Sequence, residues 1–133
     1  MIEVEVLVGE RVARGRIPAP AQVQALCTLA AEAAGVEQGH IAIEFVDEQR
    51  IAQLNDRHRG RNTPTDVLSF PIDGVGSSAG PRELGDVIIC LEHTHDVREA
   101  IVHGVLHLLG MDHEVDDGEM LALQQELLIR GSA

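Results

Sequence analysis

The stretch AIVHGVLHLLGMDH, residues 100–113, decides how this chain folds. Up to Leu109 it is almost wholly apolar, so a helix here has no side suited to water and must be buried. The helix reads from about Asp96 to Leu109, and Gly110 can end it by taking the left-handed conformation. A buried helix needs layers around it, and the flanking sequence supplies them. Upstream, Asp86 to Leu91 and Asp66 to Phe70 have strand composition, separated by Asp73 to Pro81, a Gly- and Ser-rich stretch that reads as a mobile surface loop. Downstream, Asp116 to Ile129 is an amphipathic helix through Met120, Leu123, Leu127 and Leu128.

The N-terminal half has the same alternation. Ile2, Val4, Val6 and Val8 share one face of a strand over Met1 to Val8, with Glu3 and Glu5 on the other. Pro20 to Ala34 follows as a helix, with Pro20 in its first turn, Val23, Leu26, Leu29, Ala30 and Ala33 at helical spacing, and Gly35 as its stop. Ile41 to Val46 is a second strand. Asp47 can cap the helix after it, which turns Ile51 and Leu54 inward and ends near Arg57 to Gly60. The expected fold class is α+β: a small mixed sheet of about four strands packed against helices, with the central helix across one face. At 133 residues the chain suits a single domain, 1–133, with one core.

Composition narrows the function. The chain is 44% hydrophobic and 24% charged, an ordinary globular balance. No stretch approaches the roughly 20 apolar residues of a membrane span, and the N-terminus lacks a signal-peptide pattern, so a cytoplasmic protein is expected. Cys27 and Cys90 lie in apolar stretches without C-x-x-C spacing and read as reduced core thiols. Twenty-two acids against ten arginines and no lysine give a formal net charge of −12, which argues against broad adhesion to a phosphate backbone. Any nucleic-acid ligand needs a local basic patch. Arg50, Arg57, Arg59 and Arg61 form one candidate, although a solvated helix end has the same composition.

The chemistry is concentrated on the buried helix. His103 and His107, four residues apart, present their rings on one helical face at a spacing that suits a single ion. After the turn at Gly110, His113 can approach the same ion from another direction. Three imidazoles leave a fourth tetrahedral position for water, as a catalytic zinc site requires, and neutral ligands leave the ion charged enough to acidify that water. Core histidines bonded to carbonyls and a purely structural metal are the competing readings. In zinc proteases of the H-E-x-x-H type the residue after the first histidine is the general-base glutamate, whereas here it is Gly104. Phosphodiester cleavage depends less on that residue, provided a cation near the metal stabilises charge on the phosphoryl oxygens.

The run from His103 to His113, with Glu114 after it, resembles the H-G-x-L-H-L-x-G-x-D-H signature of the YbeY family of endoribonucleases. Leu54-Asn55, Arg59, the block TDVLSFP at residues 65–71 and the strand LGDVII at residues 84–89 also resemble that family, so the likeness runs from Leu54 to Glu114. The resemblance implies one zinc ion on His103, His107 and His113, a catalytic role for Arg59, and action on single-stranded RNA in ribosomal RNA maturation, including the 16S 3′ end, and ribosome quality control. It implies the small ribosomal subunit or its assembly factors as partners. A guanidinium is always charged and can bind phosphate bidentately, which fits Arg59 to holding a phosphate in the transition state. Arg57 and Arg61 read as solvent-facing helpers, and Thr65 to Phe70 as an edge strand along the cleft whose exposed backbone can bind an extended strand.

The chain departs from the family pattern in three ways: a shorter stretch from Cys90 to His103, His58 where an aromatic is usual, and the acidic, lysine-free surface. With only Phe45 and Phe70 as aromatics, base stacking is limited and sequence preference should be weak. His93 and His95 read as a surface turn or helix entry, and His40 and His58 as surface residues. Asp112 and Glu114 read equally as helpers of the site or as helix-capping acids. Two other functions compete: a metallohydrolase of another class, such as a peptidase with its base elsewhere, and a non-enzymatic ribosome assembly factor with structural zinc.

Overall fold

The computed structural model describes residues 2–72, 82–112 and 116–131. Four strands form one sheet: β1 (Ile2–Val8), β2 (Gly39–Val46), β3 (Val67–Pro71) and β4 (Glu83–Cys90). Among the described residues four α-helices accompany it: α1 (Pro20–Ala33), α2 (Glu48–Arg59), α3 (Val97–Leu108) and α4 (Glu119–Gly131). The strand order is β1-β2-β4-β3, parallel from β1 through β2 to β4 and antiparallel between β4 and β3. The sheet is therefore mixed, and β3 lies at one edge. The segment 73–81, read from sequence as a mobile loop, lies outside the described residues.

Alternation dictates which side chains meet. Ile43 and Phe45 on β2 and Val87 and Ile89 on β4 are fully buried on one face, packed with Leu26, Cys27 and Ala30 of α1 and with Val102, Val105 and Leu106 of α3. Burying side chains of this size contributes about 1.5–3 kcal/mol each. α3 is covered almost all round, as its composition demands, and α4 packs against α1 and α3. Both cysteines are buried and unbridged, and burial pushes the Cys27 thiol up to about 12. On the opposite face α2 covers only the β4/β3 end, where Ile51 and Leu54 meet Val46, Leu68, Ile88 and Phe70.

The caps agree with the sequence. Asp47 Oδ1 accepts from Arg50 N at 2.8 Å at the start of α2, and Asp96 Oδ1 accepts from Glu99 N at 3.2 Å at the start of α3. α2 ends at Gly60, whose φ of 70° is left-handed, and Gly110 turns the chain out of α3 with φ 101°. The short passage from β4 to α3 is a 3-10 turn, Leu91–His93, followed by Thr94 to Asp96. Arg16 ties it down by donating to Leu91 O at 2.7 Å and Thr94 O at 2.5 Å. β4 begins at Glu83, three residues before the sequence suggests, because Gly85 pairs with both Ile41 and Pro71.

Candidate active site

Gly104 determines how closely α3 approaches the sheet. A Cβ there would lie 2.4 Å from Val87 Cγ1 and 3.2 Å from Val67 Cγ2, so any larger residue would lift the helix off β4 and β3. The Gly104 carbonyl also accepts a 2.7 Å hydrogen bond from Ser69 Oγ on β3. Helix and edge strand are thereby locked together one residue after His103.

His103 and His107 emerge from this helix toward the β3 side, with ring centroids 4.8 Å apart and planes inclined at 66°. Both are half-buried. His103 Nδ1 lies 2.8 Å from Gln124 Oε1 on α4. An amide oxygen only accepts, so this contact is a hydrogen bond when His103 carries a proton on Nδ1.

A cavity of about 500 Å³ opens beside them, lined by His103, His107, Asp112, Thr65, Asp66, Val67, Ser69 and Arg59. Arg59 is exposed, at the last position of α2, and reaches this cavity because α2 ends beside the β3 edge. Two contacts shape that end. Asn55 Nδ2 donates to Thr63 O at 2.9 Å, fastening the α2–β3 loop, and the His58 ring meets Phe70 edge-on at 4.7 Å. His58 is exposed, as the sequence reading has it, and makes this aromatic contact from the surface. Arg57 and Arg61 are exposed as expected.

The structure therefore brings Arg59, His103 and His107 to one cavity. His113 and Glu114 lie outside the described residues. Among the described residues no group of three His, Cys, Asp or Glu side chains is placed to hold a metal ion. The two described histidines nevertheless suit one: they are nitrogen donors at one-turn spacing, and one has a ring nitrogen facing an oxygen, a usual companion of a metal-ligating histidine. His93 ends the 3-10 turn, 2.7 Å from Glu48 Oε1, and His95 precedes the α3 cap. His40 lies between Glu83, at 2.9 Å, and Glu5, at 3.8 Å, on the sheet face away from α3.

Sequence reasoning missed Gln124 and Ser69. Gln124 stands four residues after Met120 and three before Leu127, so a lone polar side chain on the buried stripe of α4 was its readable signal. Ser69 is a small hydroxyl on the helix-facing side of β3, and only the docking of α3 gives it a role.

An α+β scaffold whose cavity joins a one-turn histidine pair to an arginine has donors and a cation of the kinds used in metal-assisted hydrolysis. Comparison with known proteins refines this. Residues 17–131 match the family model described as endoribonuclease YbeY. The endoribonuclease YbeY of Bacillus cytotoxicus is 37% identical over 128 residues, covering 80% of this chain and 82% of that protein. That of Geobacillus thermodenitrificans is 38% identical over 135 residues, covering 82% and 86%. The solution structure of TM1509 from Thermotoga maritima shares the fold, with a TM-score of 0.54 and 24% identity over 98% of this chain and 89% of that one. The chain belongs to the endoribonuclease YbeY family, a family of metal-dependent nucleases.

Proposed function

We propose that this chain is a zinc-dependent endoribonuclease that cuts single-stranded RNA in ribosomal RNA maturation and ribosome quality control, working in the cytoplasm as a single domain with the small ribosomal subunit or its assembly factors. One observation carries the reading: Arg59, from the exposed end of α2, lines the same cavity as His103 and His107 of α3. His103, His107 and His113 would hold the ion. When bound, zinc would supply Lewis acidity toward a phosphoryl oxygen and acidify a water molecule.

The chain's own residues do the rest. Arg59 binds the scissile or adjacent phosphate and stabilises the negative charge that gathers on its oxygens. β3, paired on one side only among the described residues, and the two residues before it place Thr65, Asp66, Val67 and Ser69 along the cavity wall, where an extended strand would be bound. A glutamate after His103, the general base of H-E-x-x-H proteases, would have to occupy space filled by Val87 and Val67, so a peptidase reading needs its base elsewhere.

The test measures metal content by elemental analysis, and cleavage of a labelled single-stranded RNA, for wild type, His107→Ala and Arg59→Ala. About one zinc per chain, lost with His107, is expected. Loss of Arg59 should leave zinc in place and lower cleavage about 10²–10³-fold, as removal of a transition-state donor does. RNA cleavage indifferent to both substitutions would defeat the proposal.

A further inference from the structure

α4 carries Met120, Gln124 and Leu127 on its buried stripe, and Gln124 is only 3% exposed. An amide in such a place is costly unless it is hydrogen-bonded. Its Oε1 faces His103 Nδ1 at 2.8 Å, across 21 residues of sequence and between two different helices. An isolated neutral imidazole side chain favours the proton on Nε2; an amide oxygen held at this distance from Nδ1 favours the other tautomer.

We infer that Gln124 is a positioning residue of the cavity: it holds His103 as the Nδ1–H tautomer, so that Nε2 is the nitrogen His103 presents to a metal ion. The inference deepens the zinc reading and rests on it for the ion, but the tautomer stands independently. A second consequence follows from charge. A carboxylate would hold the ring equally well and make it a stronger donor, yet it would add negative charge beside a site that takes a polyanion. A neutral amide orients the ring without repelling the substrate. α4, some twenty residues past the histidine pair, is by this account part of the site and not only a cover for the core.

The test uses the full-length protein with Gln124→Met and Gln124→Glu. Three quantities are read: the His103 tautomer from ¹⁵N shifts in metal-free protein, zinc affinity by competition with a chelator, and the split of KM and kcat on single-stranded RNA. Wild type should show Nδ1–H. Gln124→Met, an apolar replacement on an apolar stripe, should fold, lose that tautomer and weaken zinc about 10–100-fold. Gln124→Glu should restore the tautomer and hold zinc at least as tightly as wild type, while raising KM more than it lowers kcat. A wild-type His103 protonated on Nε2 would overturn the inference, as would a Met variant with the wild-type tautomer and zinc affinity within twofold. If the Met variant fails to fold, the wild-type tautomer and the Glu variant decide. A tautomer that depends on Gln124 in a protein that takes up no zinc would support the contact and count against the zinc reading alone.

Discussion

On one face of the sheet, Ile43, Phe45, Val87 and Ile89 disappear beneath α1 and α3. On the other, α2 covers Val46, Leu68 and Ile88 at one end and leaves Glu5, His40, Glu83 and Asp86 uncovered toward β1. The fully covered face fixes the histidines: α3 rests so closely on β4 that only glycine fits at residue 104. The half-covered face ends beside the β3 edge, where α2 delivers Arg59 from an exposed helix terminus. The cavity forms where the two layers meet at that edge. The same division sets the electrostatics, since the bare half of the second face is acidic and repels phosphate while the guanidinium stands at the edge. On the proposed function, Arg59 at that edge is where a chain with a net charge of −12 would meet its polyanionic substrate.

The largest effect on stability should come from cutting into the covered face. Ile101 is fully buried in α3, and Ile101→Ala is expected to cost about 2–5 kcal/mol in urea unfolding. Leu7→Ala, on the bare face and 42% exposed, should stay within about 0.5 kcal/mol. Equal losses at the two positions would dissolve the contrast between the faces. Gly104→Ala should come next. Forcing a methyl against Val87 costs about 1–3 kcal/mol, offset by up to about 1 kcal/mol of helix propensity. Because the displaced helix carries His103 and His107, RNA cleavage should fall further than the stability loss alone explains.

Period and punctuation made nearly all the elements legible. Every helix and strand read from the sequence is present, with boundaries within a few residues, because most have an apolar stripe matched to their period, α3 is apolar nearly all round, and Gly, Pro or Asp punctuates many of the ends. The strand order was not legible in the same way, since nothing local to β3 says that it pairs with β4 alone. The histidine pair could be read from spacing because both rings share one helix. Arg59 is 44 positions from His103, and only the family likeness singled it out from its neighbours; its approach to the cavity depends on Asn55 and the α2–β3 loop. Gln124 was hidden because a single polar residue in an apolar stripe acquires meaning only when the facing helix is known.

A milder contrast concerns how α2 and the bare face hold their charges. Asp47→Ala removes the acceptor for Arg50 N at the start of α2 and should cost about 1 kcal/mol, measured by thermal unfolding. The smallest expected effect is at Asp86. Its partial burial, and then the neighbouring Glu83, push its carboxyl above the ordinary value of 3.8, with His40 pulling the other way and Glu5 adding to the rise. A carboxyl whose folded pKa is raised adds stability while it is protonated, below its unfolded pKa. It loses that contribution as pH rises through the folded value. Asparagine does not titrate, so Asp86→Asn should gain on wild type as pH is raised from the ordinary carboxylate value toward neutrality. The two should converge again on acidification. The comparison of the two melting temperatures across that range is the check. A gap that widens toward low pH would mean that Asp86 is stabilised as the anion, and the bare face would then be held together by its ion pairs to His40 and not merely left uncovered.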